Sequence, residues 1–281
     1  MSKSKKMTVI IAKLSLTEDL FSNDIPEMLE EIVVCLKKPS QKYDYTYKNK
    51  NYTWGLSPGQ EKFFNGKKYI LGRLIRTTQE VIKEYDFETD TEVKSIAPKY
   101  LQTMLHYVFD KETELIAFEY KSNLSIKSMC KAFAMLCMIN GEGIGQLDIF
   151  PKKRDNDLIK TIRSLERISR VKFTLIPSNP DYSPYFKRLD QELKKTKYLK
   201  SEIEFSGKNL KFEDTIIEEG TYKVISGQGE ANYYGYDSEQ KAKSFSSKNY
   251  IEKTTFDILD QGQDIYQAII ETIQNKSDLN E

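Results

Sequence analysis

The sequence predicts an α+β fold, with mixed or antiparallel sheets, a split βαβ (ferredoxin-like) central unit, and a C-terminal hairpin followed by a helix. Three observations predict it. Apolar residues recur with period two in some segments and with helical spacing in others. Between Leu115 and Ile176 the two patterns alternate as strand, helix, strand, helix, strand. The chain of 281 residues is 39% hydrophobic and 12% aromatic, which is too much core-forming material for a disordered polymer. At roughly 150 residues per domain this length suits one or two compact domains. Three regions are expected: an N-terminal α+β region (1–100), a central α/β unit (101–177) and a C-terminal α+β region (178–281).

The elements follow in order. Met7 to Leu16 reads as a strand. Ile25 to Lys37 reads as a helix, because Met28, Leu29, Ile32, Val33 and Leu36 share a face and Pro26 suits a first turn. Tyr43, Tyr45, Tyr47, Tyr52 and Trp54 alternate around Asn49 to Asn51, a hairpin signal, and Lys67 to Thr78 continues the sheet. Asp86 to Lys94 is acidic and weakly apolar, and is expected as a loop. Leu101 to Phe109 and Leu115 to Tyr120 are strands joined by a turn at Asp110, Lys111 and Glu112. Ser125 to Asn140 is a helix stopped by Gly141, Leu147 to Phe150 a strand, Asn156 to Ser169 a helix, and Val171 to Ile176 a strand closed by Pro177. After a turn at 179–184, a helix is expected over Tyr185 to Thr196 and a strand over Lys200 to Phe205. A polar, acidic stretch precedes a hairpin of Ala231 to Tyr236 and Lys243 to Asp257, and Gln263 to Gln274 is the last helix.

Charge and rare residues exclude more than they select. Lys and Arg number 43 against 42 Asp and Glu, so bulk charge does not attract polyanions and any such site must come from local segregation. A single histidine, His106, removes mechanisms that need two and most metal cages, and is expected to be structural. Cys35, Cys130 and Cys137 are expected as buried, reduced thiols of a cytoplasmic protein. The apolar run Val9 to Ala12 is too short for a secretory core, and no segment approaches the ~20 apolar residues of a membrane span, so no membrane partner is expected.

The sharpest local feature lies at 151–172. If Asn156 to Arg170 is helical, then Lys160, Arg163, Arg167 and Arg170 fall within about 80° of arc, opposite Leu158, Ile162, Leu165 and Ile168. With Lys152, Lys153, Arg154 and Lys172 the segment holds eight basic and three acidic residues, and such a stripe suits phosphate contacts. A solvated helix face explains the same pattern. Segment 201–220 compensates with six acids against Lys208 and Lys211, and is a candidate dock for a basic partner. The alternating tyrosines of 43–54 suit either base stacking or cover of a sheet face.

A second constellation is Asp110 with Glu119 and Lys121. Mg²⁺-dependent nucleases place an Asp and a Glu-x-Lys on adjacent strands, so that two carboxylates hold the ion while the lysine approaches the attacking water. A plain Asp-Lys-Glu turn accounts for Asp110 equally. Gly141, Gly143 and Gly145 follow a helix rather than open one, which makes them a turn and not a phosphate cradle.

The runs Tyr107 to Lys121, Leu147 to Phe150 and Gly229 to Asp237 resemble an uncharacterised family of bacterial proteins found near mobile elements and phage-defence genes, and the layout is more remotely similar to the phage-exclusion protein RexA. The resemblance covers roughly residues 65 to 270. It implies a cytoplasmic anti-phage component acting with a partner protein and contacting nucleic acid, and it transfers no catalytic residue. The expectation is therefore a nucleic-acid-binding, non-enzymatic defence component without a cofactor, using Lys152, Lys153, Arg154, Lys160, Arg163, Arg167 and Arg170. The alternatives are a Mg²⁺-dependent nuclease built on Asp110, Glu119 and Lys121, and a protein-interaction module.

Overall fold

Strand β1 (Lys5–Thr17) organises the fold, because it takes partners along both edges. In the computed structural model the described residues are 5–18, 21–38, 42–47, 50–86, 91–96, 100–178, 184–195, 200–258 and 265–277. After β1 come α1 (Ile25–Lys37), β2 (Tyr43–Tyr47), β3 (Lys50–Leu56), β4 (Gln60–Phe64) and β5 (Lys67–Asp86). Next are β6 (Thr91–Ile96), β7 (Tyr100–Asp110), β8 (Leu115–Glu119), α2 (Ile126–Asn140) and β9 (Gln146–Pro151). The remainder is α3 (Asp155–Arg163), β10 (Arg167–Leu175), α4 (Lys187–Lys195), β11 (Ser201–Leu210), α5 (Ile216–Ile225), β12 (Gly229–Tyr236), β13 (Ala242–Ser246), β14 (Lys253–Ile258) and α6 (Ile265–Ser277). The fold is α+β with antiparallel sheets.

Among the described residues the strands form two sheets. The larger has ten strands in the order β14-β1-β8-β7-β5-β3-β2, with β9 also on β1 and β4 and β6 on β5. Strands β8 and β9 run antiparallel to β1 on its opposite edges, so they are parallel to each other with α2 as the crossover. This is a split βαβ as expected, with β1 supplying the intervening strand, but the expected central unit of 101–177 is divided, because its last strand, β10, joins the small sheet. Because β1 also pairs with β14, this sheet draws on residues from all three expected regions. The smaller sheet runs β11-β10-β12-β13.

Alternating burial on β1 assigns the layers. Ile10, Ala12, Leu14 and Leu16 pack with α1 and α2 on one face, while Met7, Val9 and Ile11 pack with Ile269, Ile270 and Ile273 of α6 on the other. The first core is centred on Phe133, fully buried edge-on to Tyr107 at 5.1 Å and to Phe118 at 5.4 Å. The second core joins α3, α4 and α5 to one face of the small sheet through Leu158, Ile162, Leu189, Leu193, Ile217 and Val224. Pro26 stands in the first turn of α1 and Gly141 ends α2, as expected; the structure adds the caps, with Asp24 accepting from the Glu27 amide at 2.9 Å and Ser125 capping α2.

The sheets meet at a seam. The Lys153 amide donates to Ile225 O at 3.0 Å and the Arg154 amide to Tyr250 O at 2.8 Å, and Lys153 bridges Ile251. Gly227 is required here. Its φ of +88° is left-handed, and a Cβ would meet Phe150 O at 2.8 Å.

Four expectations change. The helix expected over 156–169 ends at Arg163, and Arg167 onward is strand. Residues 91–94, expected as loop, form part of β6, which pairs with the continuation of β5, while 87–90 lie outside the described residues. The acidic stretch contains helix α5, announced by Thr215 and Glu218 at capping-box spacing. The second hairpin arm divides at a 3₁₀ turn (Ser247–Tyr250), so β13 stays with β12 while β14 crosses to β1.

Candidate nucleic-acid interface

The basic residues of 151–172 do not form one stripe. Lys152 and Lys153 are buried in the seam, 7% and 2% exposed. Lys153 Nζ donates to Pro151 O at 2.7 Å, and burial pulls its ammonium down to about 8 despite the nearby Glu230 carboxylate. Arg154 is exposed and pairs with Asp157 at 2.7 Å. Lys160 and Arg163 lie on α3, above the covered face of the small sheet, with Arg163 3.5 Å from Glu213.

Arg167 and Arg170 lie instead on β10, and a bulge explains their sharing a face. Strict alternation would send residues three apart to opposite sides. The register shifts between Ile168 and Arg170, and the extra residue restores the phase. Ile168, Val171, Phe173 and Leu175 therefore point into the second core, and Arg167, Arg170 and Lys172 point away from it. Cross-strand register extends the outer face in rows: Arg167 with Tyr236 and Ala242, Arg170 with Ser206, Tyr234 and Ser244, and Lys172 with Glu204, Asn232 and Ser246. The Arg167 guanidinium lies 4.2 Å from the Tyr236 ring centroid, and that of Arg170 4.1 Å from Tyr234.

Acidic segment 201–220 is a spatial neighbour of these bases. Antiparallel pairing sets Glu204 opposite Lys172, with Lys172 Nζ at 2.7 Å and Arg170 Nη1 at 4.0 Å from its carboxylate. The charge separation along the chain is thus partly closed in space, with Glu204 of β11 engaged with β10. Lys160 and Arg167 carry no ion pair among the described residues.

Asp110, Glu119 and Lys121 are not gathered into one metal site. Asp110 pairs with Leu115 across the hairpin, so Glu119 lies four residues further along β8, about 13 Å away at ~3.3 Å per residue. Asp110 is fully buried and accepts from the Glu112 amide at 3.0 Å and from Thr113 Oγ1 at 2.8 Å, which is a turn cap. Glu119 faces His106 instead: Oε2 lies 2.8 Å from His106 Nδ1, and Oε1 pairs with Lys121. Burial works to raise the Glu119 carboxyl, but the His106 and Lys121 contacts outweigh it and hold the group down at about 2. His106 also meets Tyr266 edge-on at 5.3 Å, so it ties β7 to β8 and α6. Among the described residues no group of three or more His, Cys, Asp or Glu is arranged to hold a metal.

The tyrosine hairpin covers a sheet face. Tyr45 stacks on Tyr43 at 6.1 Å and on Tyr52 at 5.1 Å, and Tyr43 and Tyr45 pack against the first core, while the Asn49 end of the turn lies outside the described residues. All three cysteines are free and buried. No helix among the described residues is long and apolar enough to cross a membrane.

Sequence reasoning missed a buried polar cluster. Lys223 Nζ bonds to Ser178 Oγ at 2.8 Å, Gln228 Oε1 at 2.9 Å and Asp190 Oδ1 at 2.5 Å, with Lys223 and Asp190 almost wholly inaccessible. Ser178 is 3% exposed, so a serine–lysine nucleophile has no route to substrate and the cluster ties α4 to α5. Lys223 lies in the last turn of α5, the helix that the acidic composition of the segment concealed.

The family described as Domain of unknown function (DUF4747) matches residues 39–274, most of β2 through α6. The chain belongs to the DUF4747 family. No curated protein matches it. The match spans both sheets and includes β10 and β12 with the arginine and tyrosine rows.

Proposed function

We propose that this DUF4747 chain binds single-stranded nucleic acid on the outer face of its small sheet. The observation that carries the reading is the pair of stacked rows, Arg167 over Tyr236 and Arg170 over Tyr234, side by side on a face that no helix covers among the described residues. A guanidinium held over a tyrosine ring is positioned to meet a base or, through its terminal nitrogens, a phosphate. In the next row Asn232 adds an amide, and Lys172 adds a cation that Glu204 holds at 2.7 Å. Relative to the expected helical stripe, Arg167 and Arg170 keep their role, Lys152 and Lys153 lose theirs to burial, and Tyr234 and Tyr236 enter.

Fluorescence anisotropy with labelled single-stranded DNA and RNA oligonucleotides tests this. Affinity should fall as salt rises, and Arg167→Glu/Arg170→Glu should weaken it at least tenfold with an unchanged melting temperature. Absence of salt-sensitive binding to either polymer, or wild-type binding by that variant, refutes it. An anti-phage setting, with a partner protein, rests only on the resemblance of Tyr107 to Lys121 and Gly229 to Asp237 to defence-associated proteins. Equal phage plaque counts with and without the gene would remove that part.

A further inference from the structure

A cleft of about 930 Å³ opens between α2, β9 and the Glu230–Lys248 end of the small sheet, within the ~300–1,000 Å³ of small-molecule sites. We propose that this cleft binds a nucleoside phosphate. Its wall is apolar and soft where α2 contributes Ala134, Met135 and Met138, and Tyr120 and Phe150 add aromatic surface suited to a base. Asn123, Gln146 and Asp148 offer hydrogen-bonding groups, with Asp148 accepting from Gln146 at 2.8 Å.

Charge selects the rest of the ligand. Four lysines line the cleft against two acids, and Glu230 is already paired with Lys248 at 2.9 Å. Lys127, Lys131 and Lys200 carry no ion pair among the described residues, although they come from two separate parts of the chain. An apolar-walled site with three unpaired cations fits an aromatic body bearing a multivalent anion. Two sources share that chemistry: a free nucleotide, and the phosphorylated end of a strand. The second is open because Glu230 lies two residues along β12 from Asn232, so the cleft adjoins the outer sheet face.

The test is isothermal titration of the full chain with ADP, adenosine and inorganic phosphate, and with oligonucleotides carrying a 5′-phosphate or a 5′-hydroxyl. Wild type should bind ADP at least tenfold more tightly than adenosine or phosphate if the source is a free nucleotide. If the source is a strand end, it should favour the 5′-phosphorylated oligonucleotide over its 5′-hydroxyl form by a similar factor. In either arm Lys131→Glu/Lys200→Glu, at exposed positions, should remove the preference. The idea is overturned if neither preference appears or if that variant keeps it. Arg167→Glu/Arg170→Glu should leave ADP binding intact, so failure of the sheet-face reading and failure of the cleft reading are separately visible.

Discussion

Glu204 offers the most discriminating perturbation of the proposed interface. Its carboxylate lies 2.7 Å from Lys172 Nζ and 4.0 Å from Arg170 Nη1, with all three side chains 41–47% exposed. A purely structural face predicts little from Glu204→Gln, because exposed ion pairs contribute about 0–1 kcal/mol. A binding face predicts a gain. With Lys172 held by Glu204, Arg167 and Arg170 supply two phosphate contacts; at about −0.7 per contact for a single strand the log–log salt slope is about −1.4, a loss of ~7-fold in affinity between about 50 and 200 mM salt. Releasing Lys172 adds a third contact, for a slope of about −2.1 and a loss of ~18-fold over the same range, starting from tighter binding at low salt. Anisotropy titrations at four salt concentrations measure both slopes, and thermal melting checks that the fold is unchanged. If Glu204→Gln binds no more tightly at low salt and its slope matches wild type, the outer face is not where phosphates are held.

Other consequences follow from the buried groups. Because the Glu119 carboxyl sits at about 2, below its ordinary 4.5, the stability it contributes is present above pH 4.5 and lost as pH falls towards 2. Denaturant titrations should show wild type losing about 2 kcal/mol more than Glu119→Gln between pH 5 and pH 2.5, a figure reduced from the full shift because part of the group is solvated; parallel pH curves for the two proteins would contradict this. Lys223→Met removes the closer of the two ammonium partners of the buried Asp190 carboxylate, leaving Lys194 at 3.2 Å, and should cost about 1.5–3 kcal/mol by chemical denaturation, whereas Lys223→Met/Asp190→Leu should recover part of it; a single variant as stable as wild type would show that the pair is not tightly desolvated. The three buried thiols, with Cys130 pushed up to about 12 by burial, should resist a thiol-specific dye in the native state and all react in denaturant; rapid native labelling of any of them would mean that its surroundings open.

Much of the fold was legible because local signals and tertiary demands agree. The Pro26 first turn and the Gly141 stop bound α1 and α2 as read from the sequence, and β1 is legible as a strand because both its faces are buried under apolar layers. Residues 91–94 and 216–225 were hidden for a common reason. Charged residues lower the apolar signal of each segment, whose order comes from contacts that composition does not show: hairpin pairing with the continuation of β5 in one case and the Phe173–Tyr233 core in the other.

The candidate interface was half legible, and β10 explains why. A bulge makes Arg167 and Arg170, and Ile168 and Val171, share faces at a spacing of three, which is also a helical spacing, so periodicity could not separate a continuing helix from a bulged strand. Only pairing with β11 and β12 decides it, and that pairing also alters the charge argument. On a helix the bases would stand apart from the acids of 201–220, and near-neutral composition would conceal a free cationic stripe. On β10 they lie beside Glu204, so the face is partly neutralised, and what distinguishes it from ordinary surface is the placement of two guanidinium groups over two tyrosine rings. Tyr234 and Tyr236, which carried no charge signal in the sequence, become as decisive for the interface as the arginines above them.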